Sequence, residues 1–164
     1  MTTAAPGVRA AGPADADTVL ALVDALADYE KLPRPDAAAR ARLREDGFGD
    51  APRFHALIAE GGDPPVPVGY ALYFETYSSF LARPTLYLED LFVVPAARRG
   101  GHGIALFRAL ARVARSRGCA RMEWSVLKWN RLAIDFYDHL GAAPLAEWQP
   151  YRLEGDALEQ VAAG

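Results

Sequence analysis

The sequence predicts an α/β domain whose mixed sheet is flanked by helices, and three observations carry that expectation. Strand and helix patterns alternate along the chain, no shift in composition marks a second domain, and a central apolar strand runs through a glycine-rich turn into a helix. With 164 residues there is room for one substantial core. A single domain over residues 1–164, with its core at about 8–153, is expected.

Val8 to Ala11 reads as a short first strand. From Pro13 to about Lys31, Val19, Leu22, Val23 and Leu26 mark one helical face; Pro13 suits the first turn, and Asp15 and Asp17 suit the positive end of the dipole. Pro33 and Pro35 break this helix, and Asp36 is the N-cap of a second one reaching Glu45, followed by DGFGD as a glycine-rich turn. Phe54 to Glu60 and Val68 to Tyr77 read as strands joined through the exposed tip GGDPPVP. Ser78 to Pro84 is a loop leading into the central strand.

That strand, Leu86 to Val94, is apolar on both faces except for Glu89-Asp90, so it is expected inside the sheet and covered above and below. Buried charge is costly unless paired or used. Side chains alternate along a strand, so the two carboxylates face opposite sides unless a bulge intervenes. After Pro95 come Arg98-Arg99-Gly100-Gly101-His102-Gly103 and a helix beginning near Ile104. Glycines let backbone N–H groups converge in one concavity, and the helix N-terminus adds unpaired donors and partial positive charge. Such a turn suits a phosphate or pyrophosphate.

Ile104, Phe107, Leu110, Ala111 and Ala114 form the apolar face of the following helix, with Arg108, Arg112 and Arg115 as a solvated stripe and Arg117-Gly118 as its end. Met122 to Leu127 is the next strand. Asn130 opens a helix with Ala133, Phe136, Tyr137 and Leu140 inward and Gly141 at its end; short strands are expected near Ala143 to Ala146 and Pro150 to Leu153.

Hydrophobic residues make up 51% and charged residues 24%, as in ordinary globular proteins. A net charge of −3 argues against a general nucleic-acid binder. The lone Cys119 cannot form an internal disulfide, no apolar run is long enough to span a membrane, and MTTAAPGVRAAG lacks a signal core. A cytoplasmic protein that binds neither nucleic acid nor membrane is expected. His55, His102 and His139 show no metal-ligand spacing, so no metal is expected, and His102 reads as a loop filler.

Arg98-x-x-Gly101-x-Gly103 between strand and helix resembles the pyrophosphate loop of the GCN5-related N-acetyltransferases, which bind acetyl-coenzyme A. YLEDLFVVP, LADYEKL, DGFGD and SVLKWNRLAIDFYDHLGA are similar to the spermidine/spermine and thialysine N-acetyltransferase branch, over about Val8 to Leu153. The resemblance implies a sheet that splays where the pantetheine arm enters and a coenzyme site of Phe92, Val93, Val94, Arg98, Arg99, Gly100, Gly101, His102, Gly103, Ile104, Asn130 and Tyr137. It places Tyr29, Glu30, Glu89 and Asp90 at a small-molecule amine, Tyr137 as proton donor to the departing thiolate, and the chain in a homodimer that shares residues around Trp148 to Arg152.

The residues by themselves leave other readings open. Tyr29-Glu30 also suits a solvated helix end, Glu89-Asp90 a structural pair, Tyr137 a core tyrosine and Asn130 a simple N-cap. A Walker loop is excluded because His102-Gly103-Ile104 lacks its Lys-Ser/Thr, and the turn lacks the GxGxxG of a Rossmann fold. An alkyl ammonium has a pKa near ~10.4, and a carboxylate that attracts it also keeps it protonated. Separate roles resolve this conflict: Glu30 holds a remote ammonium while Glu89 takes the proton through water. Ser78, Ser79 and Phe80, and Gln149, stand where the polyamine enzymes carry acids or aromatics, so a short diamine or lysine analogue is expected above spermine. Lys31 or Lys128 is the candidate partner for the carboxylate of such an analogue.

Overall fold

The computed structural model describes residues 7–164. It comprises two compact units, Met1–Ser125 and Val126–Gly164. In the first, β1 (Gly7–Ala10), α1 (Ala16–Glu30), α2 (Ala37–Phe48), β2 (His55–Gly61), β3 (Val66–Ser78), β4 (Arg83–Val93), α3 (His102–Ser116) and β5 (Arg121–Trp124) follow in order. The sheet order is β1-β2-β3-β4-β5, antiparallel except for the parallel β4–β5 pair. A mixed sheet flanked by helices is therefore the observed fold.

Local chemistry accounts for the helix ends. A short 3-10 turn, Pro13–Asp15, leads into α1, and the Asp15 carboxylate accepts from the Gly12 N–H at 2.8 Å and from Arg9. Asp36 caps α2 by accepting from Ala39 N–H at 2.8 Å. This helix runs three residues beyond the expected Glu45, so the first half of DGFGD is helical and only its end turns. Phe48 packs into the α1-side core, and the Phe54 ring lies over Gly47, where a Cβ would meet it at 2.4 Å. Packing there outweighs the poor helix propensity of glycine.

Two apolar layers cover the sheet. On one face α3 packs Leu106, Leu110 and Ala114 against Leu57, Ala59, Ala71, Tyr73, Leu86 and Leu88. Leu106, rather than the expected Ile104, is at the centre of that helix face, and both Leu106 and Leu110 are wholly buried. On the other face α1 packs Val19 and Leu22 against Ala56, Ile58, Tyr70, Leu72 and Phe92. The arginines 108, 112 and 115 are exposed, as a solvated stripe requires.

The second unit holds α4 (Arg131–His139) and α5 (Gly155–Ala162). Asn130 caps α4, its side-chain oxygen accepting from Ala133 N–H at 3.2 Å, and Gly141 follows the helix at φ +82°. The strands expected at 143–146 and 150–153 are absent among the described residues. A strand requires a ladder partner; here Pro144 and Pro150 each lack a donor, and the apolar side chains Leu145, Trp148, Tyr151 and Leu153 stand exposed instead. The expected strand Met122 to Leu127 stops at Trp124.

Candidate active site

The organising feature is a β-bulge in β4. Leu72 pairs with Asp90 and Tyr73 with Leu88, which leaves Glu89 as the extra residue. Leu86 and Leu88 face α3, but beyond the bulge Phe92 belongs to the α1-side cluster and Asp90 stands opposite Leu72 of that same cluster. The parity of the strand changes at Glu89, so strict alternation of Glu89 and Asp90 does not hold. The β5 ladder ends here as well: Leu88 pairs with Trp124, and β4 continues alone on that side to Val93. This is the splay expected of the sheet.

Asp90 is half-buried and accepts a hydrogen bond from the Tyr70 hydroxyl at 2.9 Å. Burial pushes its carboxyl up to about 6; the Tyr70 bond pulls it down, and the negative charges of Glu89 and Glu30 raise it further. Glu30, in the last turn of α1, is also raised by burial. Tyr70 is wholly buried, and burial together with Asp90 lifts its phenol well above the ordinary range. Glu89 is exposed at the bulge. Elsewhere Asp15, Asp24, Asp28 and Glu75 each hold an arginine. Among the described residues, Glu30, Glu89 and Asp90 form no ion pair. Three neighbouring carboxylates without a cation, two of them already resisting ionisation, are suited to receive one.

Arg98 lies at the near end of the glycine turn. Its guanidinium sits 4.4 Å from the centroid of the Tyr29 ring and 5.9 Å from that of Phe92, and its Nε donates to the Val93 carbonyl at 3.1 Å. It joins the end of α1, which carries Glu30, to the end of β4. Gly101 is the N-cap of α3 at φ +80°, a left-handed conformation, and Arg99 is also left-handed at φ +65°. The first bond of the helix runs from Ala105 N–H to Gly101 C=O. The N–H groups of His102, Gly103 and Ile104 lie ahead of it, and Gly101 has no side chain to receive them. This cradle fits an anion. The His102 ring lies beside Gly61 and Gly100, with Nδ1 buried and without a partner among the described residues.

These features bring Tyr29, Glu30, Glu89, Asp90, Phe92, Val93, Val94 and the 98–104 turn into the first unit, around the ends of β4 and α1. Asn130 and Tyr137 belong to the second, where Tyr137 is half-buried on α4 and burial pushes its phenol up to about 12. Tyr70 was not singled out by the sequence; its position in an apolar strand is that of any core tyrosine. Ser78 ends β3, and Ser79 and Phe80 lie in the turn before β4. That turn is roughly 20 Å along β4 from Asp90 at ~3.3 Å per residue, so its serines remove no anchor from the Asp90 cluster of the same chain.

Residues 19–142 match the acetyltransferase (GNAT) family. The chain belongs to this family. Thialysine N-epsilon-acetyltransferase from Bos taurus is 40% identical, with 94% of this chain and 96% of that protein covered. Spermidine/spermine N(1)-acetyltransferase-like protein 1 from Homo sapiens is 34% identical over 94% of this chain and 23% of that protein. An integron cassette protein from the mobile metagenome of V. cholerae shares the fold, with a TM-score of 0.80, 24% identity and coverage of 98% and 99% of the two chains. Among the described residues of this GNAT acetyltransferase no helix is long and apolar enough to cross a membrane. Among the described residues no group of three or more His, Cys, Asp or Glu side chains is placed to hold a metal ion.

For this acetyltransferase the uncapped turn carries a direct expectation. A β-branched residue at Gly101 must adopt φ +80°, which only glycine adopts without strain. Gly101→Val is expected to weaken binding of acetyl-coenzyme A by about ten- to a hundredfold, as the loss of one charge-assisted contact implies. Calorimetry with the coenzyme reads this, and wild-type affinity in a folded variant would remove the turn from the site.

Proposed function

We propose that this GNAT acetyltransferase moves an acetyl group from acetyl-coenzyme A to the primary amine of a small diamine or of a lysine analogue such as thialysine. The observation that carries the reading is the set of three carboxylates without a cation, Glu30, Glu89 and Asp90, beside the end of β4 that leads into the uncapped turn. The thialysine acetyltransferase relatives support the choice of amine.

Acetyl-coenzyme A supplies the thioester carbon that the amine attacks. The 101–104 backbone and Arg98 hold its pyrophosphate, with Phe92, Val93 and Val94 along the arm; the resemblance to the family assigns Asn130 and Tyr137 to the same coenzyme. Glu30 and Asp90 hold ammonium groups of the substrate. Glu89, exposed at the bulge, takes the proton of the reacting amine through water, and Tyr137 donates to the sulfur as it leaves. Lys31 or Lys128 would meet the carboxylate of a lysine analogue.

The enzyme acts as one catalytic domain in a cytoplasmic homodimer. Trp148 and Tyr151, 76% and 88% exposed, support an interface around Trp148 to Arg152. Ser78 to Phe80 would then reach an amine site only from a second copy. Light scattering at micromolar concentration is expected to give twice the chain mass, and a monomer would contradict the shared site.

The deciding experiment is a panel of thialysine, short diamines, spermine and lysine-bearing peptides with acetyl-coenzyme A, read by thiol release. Thialysine or a short diamine is expected to show a kcat/KM about tenfold or more above spermine, the worth of one charge-assisted contact. A clear preference for spermine would overturn the compact-substrate reading, acetylation of peptides alone would make the chain a protein acetyltransferase, and no turnover would leave a coenzyme A sensor.

A further inference from the structure

The Tyr70–Asp90 contact is costly as architecture. Tyr70 is wholly buried among Ile58, Leu72 and Phe92, where phenylalanine would fill the same space without a hydroxyl to satisfy. The hydroxyl does have a partner, but that partner is a half-buried carboxylate with no cation among the described residues. A polar pair in such a place is readily outdone in stability by apolar residues. Geometry gives the pair a purpose. The phenol donates to one oxygen of Asp90, Oδ2, and leaves Oδ1 without a hydrogen bond among the described residues. A carboxylate held at one oxygen cannot swing freely about its last bond, so the other oxygen keeps one direction.

We propose that Tyr70 is a positioning residue of the amine site, whose hydroxyl fixes the Asp90 carboxylate through Oδ2 and aims Oδ1 at the substrate ammonium. This rests on the reading of Asp90 as an amine anchor. Tyr70 also makes Asp90 a better anchor than a base. The groups that act on Asp90 are the Tyr70 hydroxyl from β3, Glu89 on β4 itself and Glu30 from α1, while Arg98 stacks on the rings of Tyr29 and Phe92. Burial, Glu89 and Glu30 all favour the protonated form of Asp90; only the Tyr70 bond favours the carboxylate. Without it, Asp90 takes up a proton at higher pH and loses its hold on a cation.

The test is Tyr70→Phe, followed as the wild-type to variant ratio of kcat/KM for the amine between pH 5.5 and 8.5. In this ratio the titration of the amine cancels. Loss of the bond is expected to raise the Asp90 midpoint from about 6 by about one unit. The ratio then grows about tenfold from pH 8.5 to 5.5. The KM of the amine carries the change, and the KM of acetyl-coenzyme A stays at its wild-type value. Incorporation of 3,5-difluorotyrosine at position 70 keeps the hydroxyl and strengthens it as a donor, so the ratio moves the opposite way; this arm stands even if the phenylalanine variant folds poorly. In an Asp90→Asn background, Tyr70→Phe is expected to produce no pH-dependent loss.

A ratio flat in pH, equal rises in both KM values, or the same loss with and without the Asp90 carboxylate would each reduce Tyr70 to a core residue. Wild-type amine KM in Asp90→Asn alone is a different failure, since it removes Asp90 from the amine site.

Discussion

Tyr137→Phe is expected to lower turnover by about 10²–10⁴-fold, the usual worth of a general acid, with little change in stability. The ring and its edge contact with Phe136, at 5.5 Å between centroids, survive the change. Burial pushes the Tyr137 phenol up to about 12, so its proton is present throughout the working range of pH. The same shift limits how far the proton moves. A free thiol has a pKa near ~8.5, so complete transfer from this phenol is uphill by about 5 kcal/mol. In the proposed mechanism Tyr137 is therefore a hydrogen-bond donor to sulfur as negative charge develops on it, rather than a group that gives up its proton completely. Two measurements follow. Wild-type turnover should show no basic limb from this residue below pH 10. Acyl donors of differing thiol acidity should also separate the enzymes, the variant depending more steeply on the leaving group. Unaltered turnover with unaltered coenzyme binding would take the donor role away from Tyr137.

The sequence carried the parts of this fold that are local, and missed those that depend on a partner. The caps at Asp36, Asn130, Gly118 and Gly141, and the passage from β4 through the glycine turn into α3, are written in short runs with their own physical logic. The strands expected at 143–146 and 150–153 failed because alternation of apolar residues does not supply a neighbouring strand. The extension of α2 through Gly47 depends on Phe54, seven residues away, which closes over it. The bulge at Glu89 is similarly invisible in a run of apolar residues; only the register against β3 reveals it. That register decides that Asp90 shares a face with Tyr70, a residue whose own sequence context is entirely that of a core position.

Asp90→Asn is expected to damage function and improve stability together. The asparagine oxygen still accepts from the Tyr70 hydroxyl, so the substitution removes the charge and little else. Loss of one charge-assisted contact, roughly 1.5–3 kcal/mol, raises the amine KM by about ten- to a hundredfold. Stability moves the other way, and the sign follows from proton linkage. Burial pushes the Asp90 carboxyl up to about 6 in the folded chain from 3.8 for a free side chain, so the native state holds its proton more tightly than the unfolded state. Its presence costs nothing below about pH 4. The cost grows as pH rises from there to about 6, then stays constant. Above pH 6 it is on the order of 1–3 kcal/mol. Removing the charge should therefore raise Tm by several degrees at pH 8, with the difference vanishing near pH 4. Thermal melts of both proteins at the two pH values measure it. A variant less stable at pH 8, or a difference in Tm that does not change with pH, would mean that Asp90 stabilises the fold, and its charge would then need another explanation than substrate binding.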